Sequence, residues 1–332
     1  MELSLMGLTQ HPADRDPKTC FAELLEQARI AEASGFKGLF VGEHHFTDDI
    51  YFDNFQTLAR MAGELGNEMN IGTSVCLLPL HNPALVAERI ATLDVISNGN
   101  VVFGAAAGYR DAEFDTVGVD KAERAGRITE GIEIIRALWS KNNVSYDGDY
   151  YVFENVTTRP QPIQESRPPI WLGGSAPAAV KRAAEIGDAW LIDPVSPVSK
   201  LKKAVGLYER ELTEEPTCRP IRRDVYVAET TEEAIDIAAP YILDKFDSLS
   251  EWGIIDDDAE ELSRRERFER VSEGRYLIGT PEKVAGELEF LSETLNVNHL
   301  IARVQWPGMD HERALDAIEL LGSEVGPRVA EL

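Results

Sequence analysis

Gly38-Leu39-Phe40-Val41-Gly42-Glu43-His44-His45-Phe46 is the stretch that decides how this chain is read. A short apolar run enters a cluster of titratable side chains, the pattern of a buried strand that delivers polar groups at its C-terminal end. α/β enzymes build their sites from such units. Alternation sends Phe40, Gly42 and His44 to one face and Leu39, Val41 and Glu43 to the other, so the two histidines have different jobs. His44 is the candidate catalytic group, and His45, which alternation turns away, is a lesser candidate for cofactor contact.

Strand signals recur on both sides of this stretch, at 4–8, 70–76, 101–106, 169–175, 189–193, 224–228 and 299–304. Amphipathic helix signals separate them, at 17–34, 55–65, 83–96, 124–139, 177–186 and 198–212, from Thr230, from Thr280 and at 312–321. Eight strands alternating with helices predict an α/β fold, a (β/α)8 TIM barrel with insertions, spanning 1–332 as a single domain. An open doubly wound sheet is the competing architecture. Two excursions interrupt the rhythm. Residues 141–168 read as a hairpin turning at Asp147-Gly148 and then a Pro-rich connection, and 240–278 as a charged helical insertion and candidate lid.

The formal charge is −25, with 10 Lys against 23 Arg and acidic clusters at Asp256-Asp257-Asp258 and Glu260-Glu261. Such a surface repels nucleic acid and anionic membranes and suits a salty cytoplasm, an ordinary acidic protein being the alternative. No apolar run reaches membrane-spanning length and the first residues carry no leader-like pattern, so a cytoplasmic protein is expected. Cys20, Cys76 and Cys218 are widely spaced and expected to be reduced thiols. No metal centre is expected, because adjacent histidines cannot both ligate from one strand face and no third ligand has helpful spacing. His11, His299 and His311 read as surface or loop residues, with His81 the exception to watch.

On a barrel, the residues just past each strand face the site. That collects Met6, His44, Ser74, Val75, Gly108, Tyr109, Arg110, Gly173, Gly174, Ser175, Asp193 and Gln305. In Gly173-Gly174-Ser175, glycines admit a ligand close to the backbone and a helix starts at once, which suits a phosphate; a tight turn needing glycine for geometry alone is the plain alternative. Arg124 and Arg127 open their helix and would add positive charge, solvated surface arginines being the plain alternative.

Four blocks taken together resemble the bacterial luciferase-like flavin-dependent oxidoreductases: Glu43-His44-His45-Phe46, Asn70 through Pro79, Phe103 through Phe114, and Pro168 through Ser175. The match runs in order over 1–195 and more loosely beyond. The resemblance implies a barrel holding FMN, or the deazaflavin coenzyme F420, at the C-terminal rim, with His44 beside the reactive face and a non-prolyl cis peptide at Ser74-Val75. It places the phosphate on the Gly-Gly-Ser turn. Bacterial luciferase has Cys-Arg where this chain has Ala106-Ala107, so light emission is not expected and Arg110, Arg124 or Arg127 would supply side-chain charge.

Glu-His-His-Phe resembles the FMN branch, whereas the deazaflavin branch shows Asp-His there. The implied activity is a monooxygenase using reduced FMN and oxygen on a small organic substrate, with a separate flavin reductase as partner and a homodimer formed through the early helices. F420-dependent hydride transfer is the alternative, and a non-redox phosphate-binding barrel the distant one. Substrate contacts are expected from the two excursions.

Overall fold

A computed structural model of the chain describes residues 1–66, 68–251 and 262–332. Its centre is a ring of parallel strands: β1 (Glu2–Met6), β2 (Gly38–Val41), β3 (Asn70–Thr73), β4 (Val101–Ala106), β5 (Ile170–Gly173), β6 (Ala189–Leu191), β7 (Pro220–Val227) and β8 (His299–Arg303). Each pairs with the next in chain order, and β8 returns to β1. Between β6 and β7 the ring closes through an Ile192–Ile221 bridge, where Ile192 N donates to Pro220 O at 3.0 Å and Arg222 N to Ile192 O at 3.2 Å. The closed barrel is the expected fold, and the open sheet is excluded by these bonds.

Helices α1 (Pro17–Ala33), α2 (Asn54–Ala62), α3 (Pro83–Ile96), α4 (Asp111–Val117), α5 (Arg124–Ser140), α6 (Pro177–Ile186), α7 (Val198–Glu211), α8 (Thr231–Glu251), α9 (Arg264–Ser272), α10 (Pro281–Leu295) and α11 (His311–Leu320) follow in chain order. α1, α3 and α10 begin alike. A polar cap (Asp16, Asn82, Thr280) accepts a first-turn backbone N–H, and a proline follows whose missing N–H costs nothing there.

The alternation read in β2 is what separates the two cores. Leu39 and Val41 join the large cluster beneath the helices, while Phe40 packs inside the barrel with Met6, Val102, Trp171, Ala189, Leu191 and Ile301. Phe40 stacks on Trp171 with centroids 5.4 Å apart and planes 15° apart, and the His299 ring stands edge-on to both. Burying a side chain of that size contributes about 1.5–3 kcal/mol.

The structure corrects the sequence reading at several places. His299 is a core residue, only 3 % exposed, because it opens β8 on the inward face, where Ser4 Oγ meets its Nε2 at 2.8 Å. His11 is buried too. β7 starts at Pro220 rather than 224, which places Arg222 and Arg223 on a barrel strand, Arg222 facing inward and Arg223 outward. The third strand stops at Thr73 and resumes as Cys76–Leu77 beside β4, and between the two halves lies the expected non-prolyl cis peptide at Ser74-Val75.

The hairpin is present, pairing Val144–Asp147 with Val152–Val156. Within 240–278, α8 runs to Glu251, α9 follows, and a short strand, Leu277–Gly279, lies beside β7. The acidic clusters at 256–258 and 260–261, and that part of the lid expectation, lie outside the described residues.

Candidate active site

The site is built where β2 ends. His44 projects over the barrel mouth, and its Nδ1 lies 2.9 Å from Oε1 of Glu113, a carboxylate of zero exposure carried by α4. The same oxygen accepts the His45 amide at 3.0 Å and Arg110 Nη1 at 3.2 Å, while Arg110 also donates to His45 O at 3.0 Å. Burial opposes ionisation of Glu113, yet the His44 and His45 hydrogen bonds and the His44 and Arg110 charges hold its pKa below the ordinary carboxylate value. A charged Glu113 requires Nδ1 to carry a proton, leaving Nε2 directed at the mouth, 3.3 Å from Tyr109 Oη. Burial pushes Tyr109 up to about 12, so its hydroxyl remains a donor.

Glu43 and His45 form a second network behind the first. Glu43 is 5 % exposed; its Oε1 accepts from His45 Nε2 at 2.8 Å and His81 Nε2 at 2.6 Å, and its Oε2 from the Leu77 amide at 2.5 Å. Burial opposes the charge, but these donors hold Glu43 well below the ordinary range, and the Glu43 hydrogen bond raises His45. His45 therefore braces the strand end instead of facing the mouth. Donor atoms of Glu43, Cys76 and His81 lie within 4.8 Å of one another, a convergence across strands that spacing in the sequence could not show. Both Glu43 oxygens are already accepting hydrogen bonds.

The mouth has a floor poor in side chains. A Cβ on Gly42 would stand 2.9 Å from Tyr51 Oη and 3.2 Å from Met6 Cε, and one on Gly173 would meet Val75 Cγ1 and Ala106 Cβ. Ser74 Oγ is buried with no partner. At Gly174 φ is +150° and a Cβ would press on Ala179 at 2.6 Å, so the turn requires glycine. Ser175 is exposed, and no side chain caps the start of α6. A flat wall, an unpartnered buried hydroxyl and an uncapped helix start fit a planar cofactor bearing a phosphate.

The predicted arginines divide. Arg110 is committed to Glu113 and the His45 carbonyl. Arg124 donates to Lys121 O, and Arg127 pairs with Glu123 while lying 5.6 Å over the rings of Tyr150 and Tyr151. Gly108, at φ +76°, turns the chain against the Phe114 ring so that Tyr109 reaches His44.

The luciferase-like monooxygenase family profile matches residues 1–296. The chain belongs to this family. Among its relatives, the oxygenase component of flavin-dependent trigonelline monooxygenase from Acinetobacter baylyi is 25 % identical over 100 % of this chain and 96 % of its own length. The FMNH2-dependent dimethylsulfone monooxygenase of Pseudomonas fluorescens is 29 % identical over 92 % and 86 %. The F420-dependent glucose-6-phosphate dehydrogenase of Microbacterium testaceum is 29 % identical over 92 % and 93 %. In fold, monooxygenase RslO1 from Streptomyces bottropensis superposes with a TM-score of 0.86 at 22 % identity, covering 98 % of this chain and 99 % of that one.

Three groups that the structure brings near His44 and the end of the third strand escaped the sequence reading. Glu113 sits on a seven-residue helix too short to show a period, Tyr51 on a two-residue strand pairing with Gln10–His11, and Arg222 on the unrecognised start of β7. The acidic first turn Asp111, Glu113 before Gly118 was the one available signal for α4.

Proposed function

We propose that the chain is the oxygenase of a two-component system, using reduced FMN and O2 on a small organic substrate, with His44 as its proton-handling residue. The observation that carries this reading is His44 held through Nδ1 by the buried Glu113, with Nε2 on its far side 3.3 Å from Tyr109 Oη. When bound, the reduced flavin supplies two electrons and the activation of oxygen. The chain's own residues do the rest. Glu113 orients the imidazole and stabilises it when protonated, so Nε2 takes up or gives back a proton at one position. Tyr109 donates to that nitrogen, and Gly174 and the α6 amides receive the phosphate. Met6, Ser74 and Val75 support the ring. Arg110 holds the Glu113 loop rather than the phosphate.

The relatives named for FMNH2 and for a flavin-dependent oxygenase component support the cofactor and a separate reductase. The F420-named relative favours one second reading, hydride transfer with the deazaflavin in the same mouth. We place the chain in the cytoplasm as one domain; among the described residues no helix is long and apolar enough to cross a membrane. Exposed Leu85 and Ile96 in the groove between α2 and α3 support a homodimer through those helices. His44→Ala tests the assignment. Turnover should fall about 100-fold or more with flavin affinity nearly unchanged, and wild-type turnover would remove His44 from the mechanism.

A further inference from the structure

β7 and β8 carry charge into the same mouth. Their register sets Arg222 opposite Ile301 and Asp224 opposite Arg303, and Ile301 belongs to the barrel interior, so alternation turns Arg222, Asp224 and Arg303 inward as well. Arg222 Nη1 reaches Ser74 O at 3.3 Å, while its Nε is buried without a partner. Arg303 Nε donates to Gln305 O at 3.1 Å.

Asp224 brings one negative charge to these two cations and a third, Lys245, and its Oδ1 is buried without a partner. Its Oδ2 accepts from Lys245 Nζ at 2.5 Å and from Trp306 Nε1 at 3.0 Å. Lys245 comes from α8, within the insertion. Three cations thus converge on one carboxylate, in a chain whose overall charge is −25. Burial, with the Arg303 and Arg222 charges acting against Asp224, brings Lys245 down to about 8. The Glu43 and Glu113 carboxylates are paired with His45, His81, His44 and Arg110. Uncompensated guanidinium groups in a partly buried cleft are costly without an anion, and their planar forks match a carboxylate.

We propose that the substrate is an organic acid whose carboxylate is held by Arg222 and Arg303, and that Lys245 makes this possible by neutralising Asp224. This rests on the mouth being the oxygenase site proposed above. The arginines then fix the charged end on the β7–β8 side, which β1 separates from His44's strand, and the uncharged part of the acid is presented to the reacting centre.

Titration calorimetry of the purified protein, with and without FMN, tests this using acetate and hexanoate against acetamide and hexanamide at one ionic strength. The acids should bind at least 10-fold more tightly than the amides. Arg222→Gln and Arg303→Gln should each weaken the acids on the order of 10- to 100-fold and leave the amides unchanged. Lys245→Met, which frees Asp224 to oppose an anion, should weaken the acids in the same direction. Equal binding of acid and amide, or acid binding unaffected by both arginine changes, overturns the proposal. A parallel titration with FMN and riboflavin separates the sources of the anion. If Arg222→Gln weakens FMN but not riboflavin, the arginines serve the cofactor phosphate and the proposal falls. Acid binding in a protein that takes up neither flavin would leave this site standing and overturn the oxygenase reading instead.

Discussion

Nδ1 of His44 and Oε1 of Glu113 are 2.9 Å apart across 69 residues of chain, joining the end of β2 to the first turn of α4. That bond decides which nitrogen faces the mouth. Glu113→Gln keeps the shape but removes the charge that holds Nδ1–H, so the free nitrogen is no longer fixed. Turnover should fall about 100-fold, with flavin and substrate affinity little changed, and the imidazole nitrogen shifts in NMR should show a mixed tautomer. A variant with wild-type turnover and a single tautomer would show that Glu113 is only structural.

The network behind it gives a pH signature. Glu43 has a lowered pKa, so its stabilisation is present above its unfolded value of about 4.3 and is lost as pH falls through the folded one. His45 has a raised pKa, so its contribution is complete below about 6.5 and fades as pH rises through the folded value. Glu43→Gln should therefore cost about 3 kcal/mol, and the gap in Tm from wild type should be widest between roughly pH 5 and 6. A gap constant across pH would mean the loss is one of packing.

On the proposed reading, the two glycine positions separate phosphate from ring. Gly174→Ala meets Ala179 at 2.6 Å and distorts the turn before α6, so FMN should bind about 10-fold more weakly while riboflavin is spared.

Gly42→Ala instead presses on Tyr51 Oη and Met6 Cε, on the side assigned to the ring. FMN and riboflavin should weaken together, by about 10-fold each. Fluorescence quenching with both ligands reads both variants, and a reversal of the two patterns would exchange the assigned positions.

The barrel was legible because its strands are apolar runs punctuated by caps, prolines and glycines, as at Asp16-Pro17, Asn82-Pro83 and Thr280-Pro281. The parity of β2, from which His44 is proposed, was legible, since Phe40 and Leu39 divide between two cores as alternation requires. The partner of His44 was not. Glu113 is one acid among many until folding buries it, and nothing local distinguishes it from Asp111 or Asp115. Arg222 was missed because Pro220 at the head of β7 reads as a connection, although a parallel strand tolerates proline at its first residue. His299 reads as a polar loop residue and is buried because Ser4, from the far end of the chain, satisfies it.

The most direct measurement is titration of the purified, flavin-free protein in molar salt with FMN and with F420, followed by oxygen uptake once the flavin is reduced. Tighter binding of FMN, with oxygen consumed when an organic acid is present, is the expected result. Preference for F420 without oxygen uptake would contradict the oxygenase reading and assign hydride transfer to the same mouth, and failure to bind either would contradict a flavin site altogether.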